Sequence, residues 1–97
     1  MHRLQAARRD YVANGRDRHA QLAAICDIET RFIRLSERER QVLQHVVSGH
    51  SNKQIAGDLG IAEVTVKFHR GAMMRKMGAA SLVELVRLWD AMVRFAD

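Results

Sequence analysis

The 97-residue chain contains no proline. It also lacks any run of alternating β-branched residues, so neither the punctuation nor the period-two pattern of a sheet protein is present, and an all-α fold is expected. Cys26 is the single cysteine. No internal disulfide can form, which suits a reducing cytosol. No run of about 18 apolar residues occurs, so no membrane span is expected. The opening MHRLQAARRDY is basic but has no apolar stretch of the kind a secretion signal needs. These absences point to the cytoplasm. There is no glycine-rich phosphate loop and no internal repeat. His2, His19, His45, His50 and His69 show no zinc-like spacing with Cys26 or with a carboxylate. Asp27 and Glu29 have no partner base or nucleophile. No metal, cofactor, small-molecule ligand or catalytic centre is expected, and the chain does not read as an enzyme.

What is present is a folded, basic composition. Hydrophobic residues make up 47% of the chain, ordinary for a packed domain, and the formal charge is +5. That charge points to a polyanionic partner. The organising stretch is SNKQIAGDLGIAEVTVKFHRGAMMRKM, Ser51 to Met77. Ser51 and Gln54 have the spacing of a capping box, in which the serine and the residue three positions on satisfy each other's orphan amides. Ile55, Ala56 and Leu59 share one helical face. Gly60 follows where a helix end favours positive φ. A second helix is expected from about Glu63, turning Val66, Met73 and Met77 inward and carrying Lys67, Arg70, Arg75 and Lys76. A short helix, a glycine turn and a basic helix are the parts of a helix-turn-helix, whose second helix lies in the DNA major groove.

On the N-terminal side, residues 1–34 read as a helical linker and 35–97 as the compact domain. Met1 to Ala13 can form a basic helix with Leu4, Ala7 and Tyr11 on one side, weakened at Asn14-Gly15. From about Asp17 to Leu35, Ile25, Ile28, Phe32 and Leu35 recur at coiled-coil spacing over about two heptads. Backwards the seam meets Gln21, Arg18 and Asn14. Such a stripe either pairs with another chain or packs on its own domain. Ser36 with Glu39 is a second capping-box spacing, followed by an apolar face of Val42, Leu43, Val46 and Val47 and a stop at Gly49. Gly78 closes the basic helix, and Ser81 with Glu84 opens the last one. That helix carries two apolar stripes. One is Leu82, Val86, Trp89 and Val93; the other is Leu85, Leu88, Met92 and Phe95. Two stripes need two partners: the chain's own core, and either another subunit or the N-terminal helix folding back. The second stripe is expected to form the dimer interface.

LSERERQVL, SNKQIA, the Thr65–Arg70 segment TVKFHR, RKMG and SLVELVRL together resemble the LuxR/FixJ-type DNA-binding domain, the effector half of many bacterial response regulators, and within it the FixJ-like branch. The match runs from about Leu35 to Leu88. RHAQLAAICDIETRFIRL is similar to the linker helix that precedes such domains. The resemblance implies a four-helix domain that binds double-stranded DNA, usually as a homodimer joined through its last helix. Nothing in the sequence supplies the acidic pocket of a phospho-acceptor receiver.

The resemblance carries Lys67, Phe68 and Gly71 over as the groove-facing set. Lys67 can donate to guanine O6 or N7, and Phe68 can meet a thymine methyl if it faces outward rather than into the core. Asn52, Lys53, Thr65, Arg70 and Arg75 suit phosphates, the first two aided by the amides of a helix N-terminus. Three residues depart from the family pattern. Ala62 stands where a serine-like N-cap is usual, at about 1 kcal/mol. Gly71 costs about 1 kcal/mol within a helix and offers no side chain to a base. Ala72 replaces a polar residue. Together they imply a looser helix that reads fewer bases and leans on DNA shape. Two other roles fit the same sequence: a chain that dimerises with and modulates another regulator, and a sigma-factor-like piece that meets RNA polymerase.

Overall fold

Helix follows helix along the described chain, with no strand among the described residues. The computed structural model describes residues 18–20 and 22–96, and for 95 and 96 the backbone only. The expected basic helix over Met1 to Ala13, its Asn14-Gly15 interruption, Asp17 and Gln21 lie outside the described residues. The elements are α1 (22–33, with 18–20 also helical), α2 (Glu37–Val47), α3 (Asn52–Leu59), α4 (Glu63–Met77) and α5 (Leu82–Ala96). None is long and apolar enough to cross a membrane.

The helix boundaries follow from local chemistry. Ser36 caps α2 by accepting from the Glu39 amide at 3.1 Å, while the Glu39 carboxylate accepts from the Ser36 amide at 2.8 Å. Ser51 and Gln54 repeat this reciprocal pair at the start of α3. At α5 only half the device forms: Ser81 Oγ accepts from the Glu84 amide, but the Glu84 carboxylate reaches the Ala80 amide rather than that of Ser81. Gly60 and Gly78 take the left-handed conformation, at φ 67° and 69°, to end α3 and α4. Gly78 has a second reason to lack a side chain. A Cβ there would lie 2.8 Å from Arg31 Nη1, whose guanidinium donates to the Met77 carbonyl at 2.9 Å. Arg31 of α1 thus satisfies a terminal carbonyl of α4. Arg40 of α2 does the same for α1, donating to the Ile33 carbonyl at 2.6 Å with its guanidinium 5.5 Å from the Phe32 ring centre.

One apolar cluster joins all five helices. Val42, Leu43 and Val46 of α2, Ile55 of α3, Val66, Met73 and Met77 of α4, and Leu85 and Met92 of α5 are buried in it. So are Ile28 of α1 and Leu35, just beyond it, with Phe32 packed alongside. The stripe of α1 is therefore laid on its own domain. Phe32 meets Trp89 of α5 with ring centres 5.8 Å apart.

The last helix corrects the expected division of its two stripes. Leu85 is fully buried, Met92 nearly so, and Leu88 packs half-buried on the core. These residues were expected at a dimer interface; they face the chain's own interior. The side chain of Phe95 lies outside the described residues. Exposed instead are Leu82, Val86 and Val93 of the other stripe, joined by Val83, which is 63% exposed. Trp89 leaves that stripe to pack against Phe32. The physical reason is helix phase: both stripes are apolar enough for burial, and only the docking of α5 selects one.

Ala62 occupies the N-cap of α4 in extended conformation, φ −70° and ψ 148°, with no side-chain cap bond. Ala62→Ser is expected to stabilise the domain by about 1 kcal/mol in urea unfolding, because the backbone already has the geometry a capping hydroxyl needs.

Candidate nucleic-acid interface

Helix α4 is fixed from three sides. Its inward face is Val66, Met73 and Met77, each fully buried. Its C-terminus is held by Arg31, and Lys76 donates to Glu39 Oε1 at 2.8 Å. Glu39 is only 4% exposed, so one carboxylate both caps α2 and tethers α4 to it. Burial pushes the Glu39 carboxyl pKa up, but the Lys76 ammonium and the Ser36 amide and hydroxyl outweigh it, and the net shift is downward.

The opposite face of α4 is open. Lys67 is exposed, and Phe68 is 69% exposed, pointing away from the core. Its ring meets that of its neighbour His69 edge-on, ring centres 5.7 Å apart. Gly71 follows on the same face. A Cβ at Gly71 would sit 3.5 Å from Arg75 Nη1, so the Arg75 guanidinium lies over the gap the glycine leaves. Sequence reading missed Val64, which is 71% exposed. Its spacing of four from Phe68 was the available signal: Val64, Lys67, Phe68, Gly71 and Arg75 follow the i, i+3, i+4 pattern of one helical stripe. This stripe mixes two cations with two apolar side chains and contains no carboxylate.

The structure brings several of the polar candidates together. Asn52, first residue of α3, accepts from Arg70 Nη1 at 2.9 Å, which ties the start of α3 to the middle of α4. Lys53 is exposed beside it, and Thr65 is half-buried in the first turn of α4. A polar edge formed by a helix N-terminus and a guanidinium is chemically suited to phosphate oxygens.

One constellation was not legible. His45, His50 and Asp58 showed no zinc-like spacing, yet one ring nitrogen or carboxylate oxygen from each lies within 4.8 Å of the others. Gly49, at φ 89°, turns the chain so that the His50 amide donates to the His45 carbonyl at 3.0 Å. Asp58, on the last turn of α3, then comes beside them.

The model of bacterial regulatory proteins of the luxR family matches residues 34–89. Nodulation protein W of Bradyrhizobium diazoefficiens is 42% identical over 82 residues, 82% of this chain and 36% of that protein. The transcriptional regulatory protein FixJ of Rhizobium meliloti is 56% identical over 62 residues, 64% of this chain and 30% of that protein. The chain thus spans only about a third of the length of these relatives, 36% and 30%. Full-length FixJ from B. japonicum, solved by crystallography, superposes with a TM-score of 0.75 at 37% identity, covering 95% of this chain and 45% of that one.

The Glu39 tether gives a pH signature. A lowered folded-state pKa means its stabilisation is complete above the ordinary glutamate range and is lost as pH falls through the folded value. Lys76 is 46% exposed at its side chain, so solvent weakens the pair. Glu39→Gln is expected to cost about 1 kcal/mol at neutral pH. In urea unfolding across pH, the two proteins should converge in acid.

Proposed function

We propose, for a chain that belongs to the luxR family of bacterial regulatory proteins, that it binds double-stranded DNA and regulates transcription without enzymatic activity of its own. The observation that carries this reading is the outward stripe of α4: exposed, basic, free of carboxylates, and mounted on a fully buried opposite face. Helix α4 enters the major groove. Lys67 donates to a guanine edge and Phe68 packs on a thymine methyl, with Val64 as a second apolar contact. Gly71 brings the backbone close to the bases, and Arg75 reaches into the space it leaves. Asn52, Lys53, Thr65 and Arg70 hold phosphates on either side, setting the helix's register. Such a role places the protein in the cytoplasm.

The exposed edge of α5 supports dimerisation. Leu82, Val83, Val86 and Val93 form an apolar strip beside the buried Leu85 and Met92. Pairing two copies across it would place two α4 helices about a two-fold axis and read a partly palindromic site. The same strip could instead receive another luxR-type chain, and a heterodimer without DNA binding is the outcome that would replace this reading. Binding to core RNA polymerase in place of DNA would favour a sigma-like role.

Selection from randomised duplex DNA at near-physiological salt is expected to enrich a two-fold symmetric motif; only salt-sensitive bulk binding would sink sequence-specific recognition. Lys67→Ala is expected to relax preference at one base pair by about 1–3 kcal/mol, whereas Lys53→Ala should weaken all sequences alike and lower the salt slope by about 1. In sedimentation, Val83→Asp with Val86→Asp should yield monomers that remain folded, since both side chains are exposed in the single chain.

A further inference from the structure

The histidine pair at the α2–α3 junction is used by neither the fold's core nor the groove-facing stripe. His45 Nδ1 and His50 Nδ1 approach to 2.9 Å, and Asp58 Oδ2 lies 3.7 Å from His45 Nδ1. The imidazoles are half-buried, with ring centres 5.1 Å apart and planes inclined at 44°. Two ring nitrogens in contact at 2.9 Å, with a carboxylate oxygen within 4.8 Å of a ring nitrogen from each, make a cluster of donor atoms rather than a ring stack. Without an ion, the contact requires a proton on one Nδ1 and a bare lone pair on the other. With both protons on Nε2, the two lone pairs converge and repel unless something positive sits between them.

We infer that His45, His50 and Asp58 form a binding site for a divalent transition ion of the zinc type. Zinc takes imidazole nitrogen at about 2.0–2.1 Å and carboxylate oxygen at about 2.0–2.2 Å, so ligand atoms in a tetrahedral site stand about 3.3 Å apart. The two nitrogens need to open by only a few tenths of an ångström. The Asp58 side chain is 56% exposed, free to swing its carboxylate inward to complete the triangle. Two nitrogens and one oxygen select a borderline ion over magnesium or calcium, which favour all-oxygen sites. The three ligands come from the last turn of α2, the turn around Gly49, and the last turn of α3. An ion here clips the first helix of the helix-turn-helix to the helix before it. The site does not depend on the DNA reading, since metal binding is measured without DNA.

The test is calorimetric titration of the whole chain with zinc chloride, together with histidine ring-nitrogen spectra and thermal melting. The expected result is one ion per chain, with the Nδ1 signals of His45 and His50 moving together and those of His69 unchanged. Saturating zinc should raise the melting midpoint by about 5 °C or more. His50→Ala should abolish this binding. Asp58→Asn, on an exposed position, should weaken it by about tenfold or more while leaving the fold and the zinc-free melting midpoint in place. Any of three results would overturn the site: no binding into the millimolar range, ring shifts at His2, His19 or His69 in place of the pair, or unchanged affinity in both variants.

Discussion

Everything the protein presents outward depends on the burial of Val66, Met73 and Met77. Helix α4 is poorly supported by its own sequence. It lacks a side-chain cap at Ala62, and it carries Gly71 in its interior; together these cost about 2 kcal/mol. Full burial of each apolar side chain contributes about 1.5–3 kcal/mol. Three of them outweigh the deficit, so tertiary packing rather than intrinsic propensity keeps α4 helical. The exposed stripe is free to vary because the buried one does the holding.

Three polar ties then set where α4 points. Arg31 satisfies the Met77 carbonyl, Glu39 anchors Lys76, and Asn52 receives Arg70. They come from α1, α2 and α3 respectively, so each neighbouring helix contributes one constraint. Glu39 is the most economical, since the carboxylate that caps α2 is the same one that holds α4. The Arg31 bond has a further consequence. The helix preceding the compact domain is chemically joined to the end of the helix that faces outward, through a glycine whose missing Cβ leaves the guanidinium room.

The stripes of α5 show how a surface arises from a choice of phase. Leu85 and Met92 turn inward and close the core, while α1 covers part of the remaining apolar surface through Phe32 and Trp89. What is left over is Leu82, Val83, Val86 and Val93. The apolar edge available to a second chain is thus the remainder after the domain has satisfied itself.

By itself the sequence determined the local features. Absence of proline and helical periodicity specified an all-α chain; Ser36–Glu39 and Ser51–Gln54 specified two helix starts; Gly60 and Gly78 specified two ends; Val66, Met73 and Met77 specified the inward face of α4, leaving Phe68 outward. Each depends on residues within about one helical turn, where spacing and backbone geometry suffice. Tertiary structure alone decided which stripe of α5 is buried, whether the seam of α1 packs on its own domain, and which residues from different helices meet. Arg31 and Met77 are 46 positions apart, and Lys76 and Glu39 are 37 apart. His45, His50 and Asp58 converge only because α3 folds back beside α2 after the turn at Gly49. Periodicity names the faces of a helix, but the docking of helices chooses among faces of equal hydrophobicity and brings distant polar groups within bonding distance.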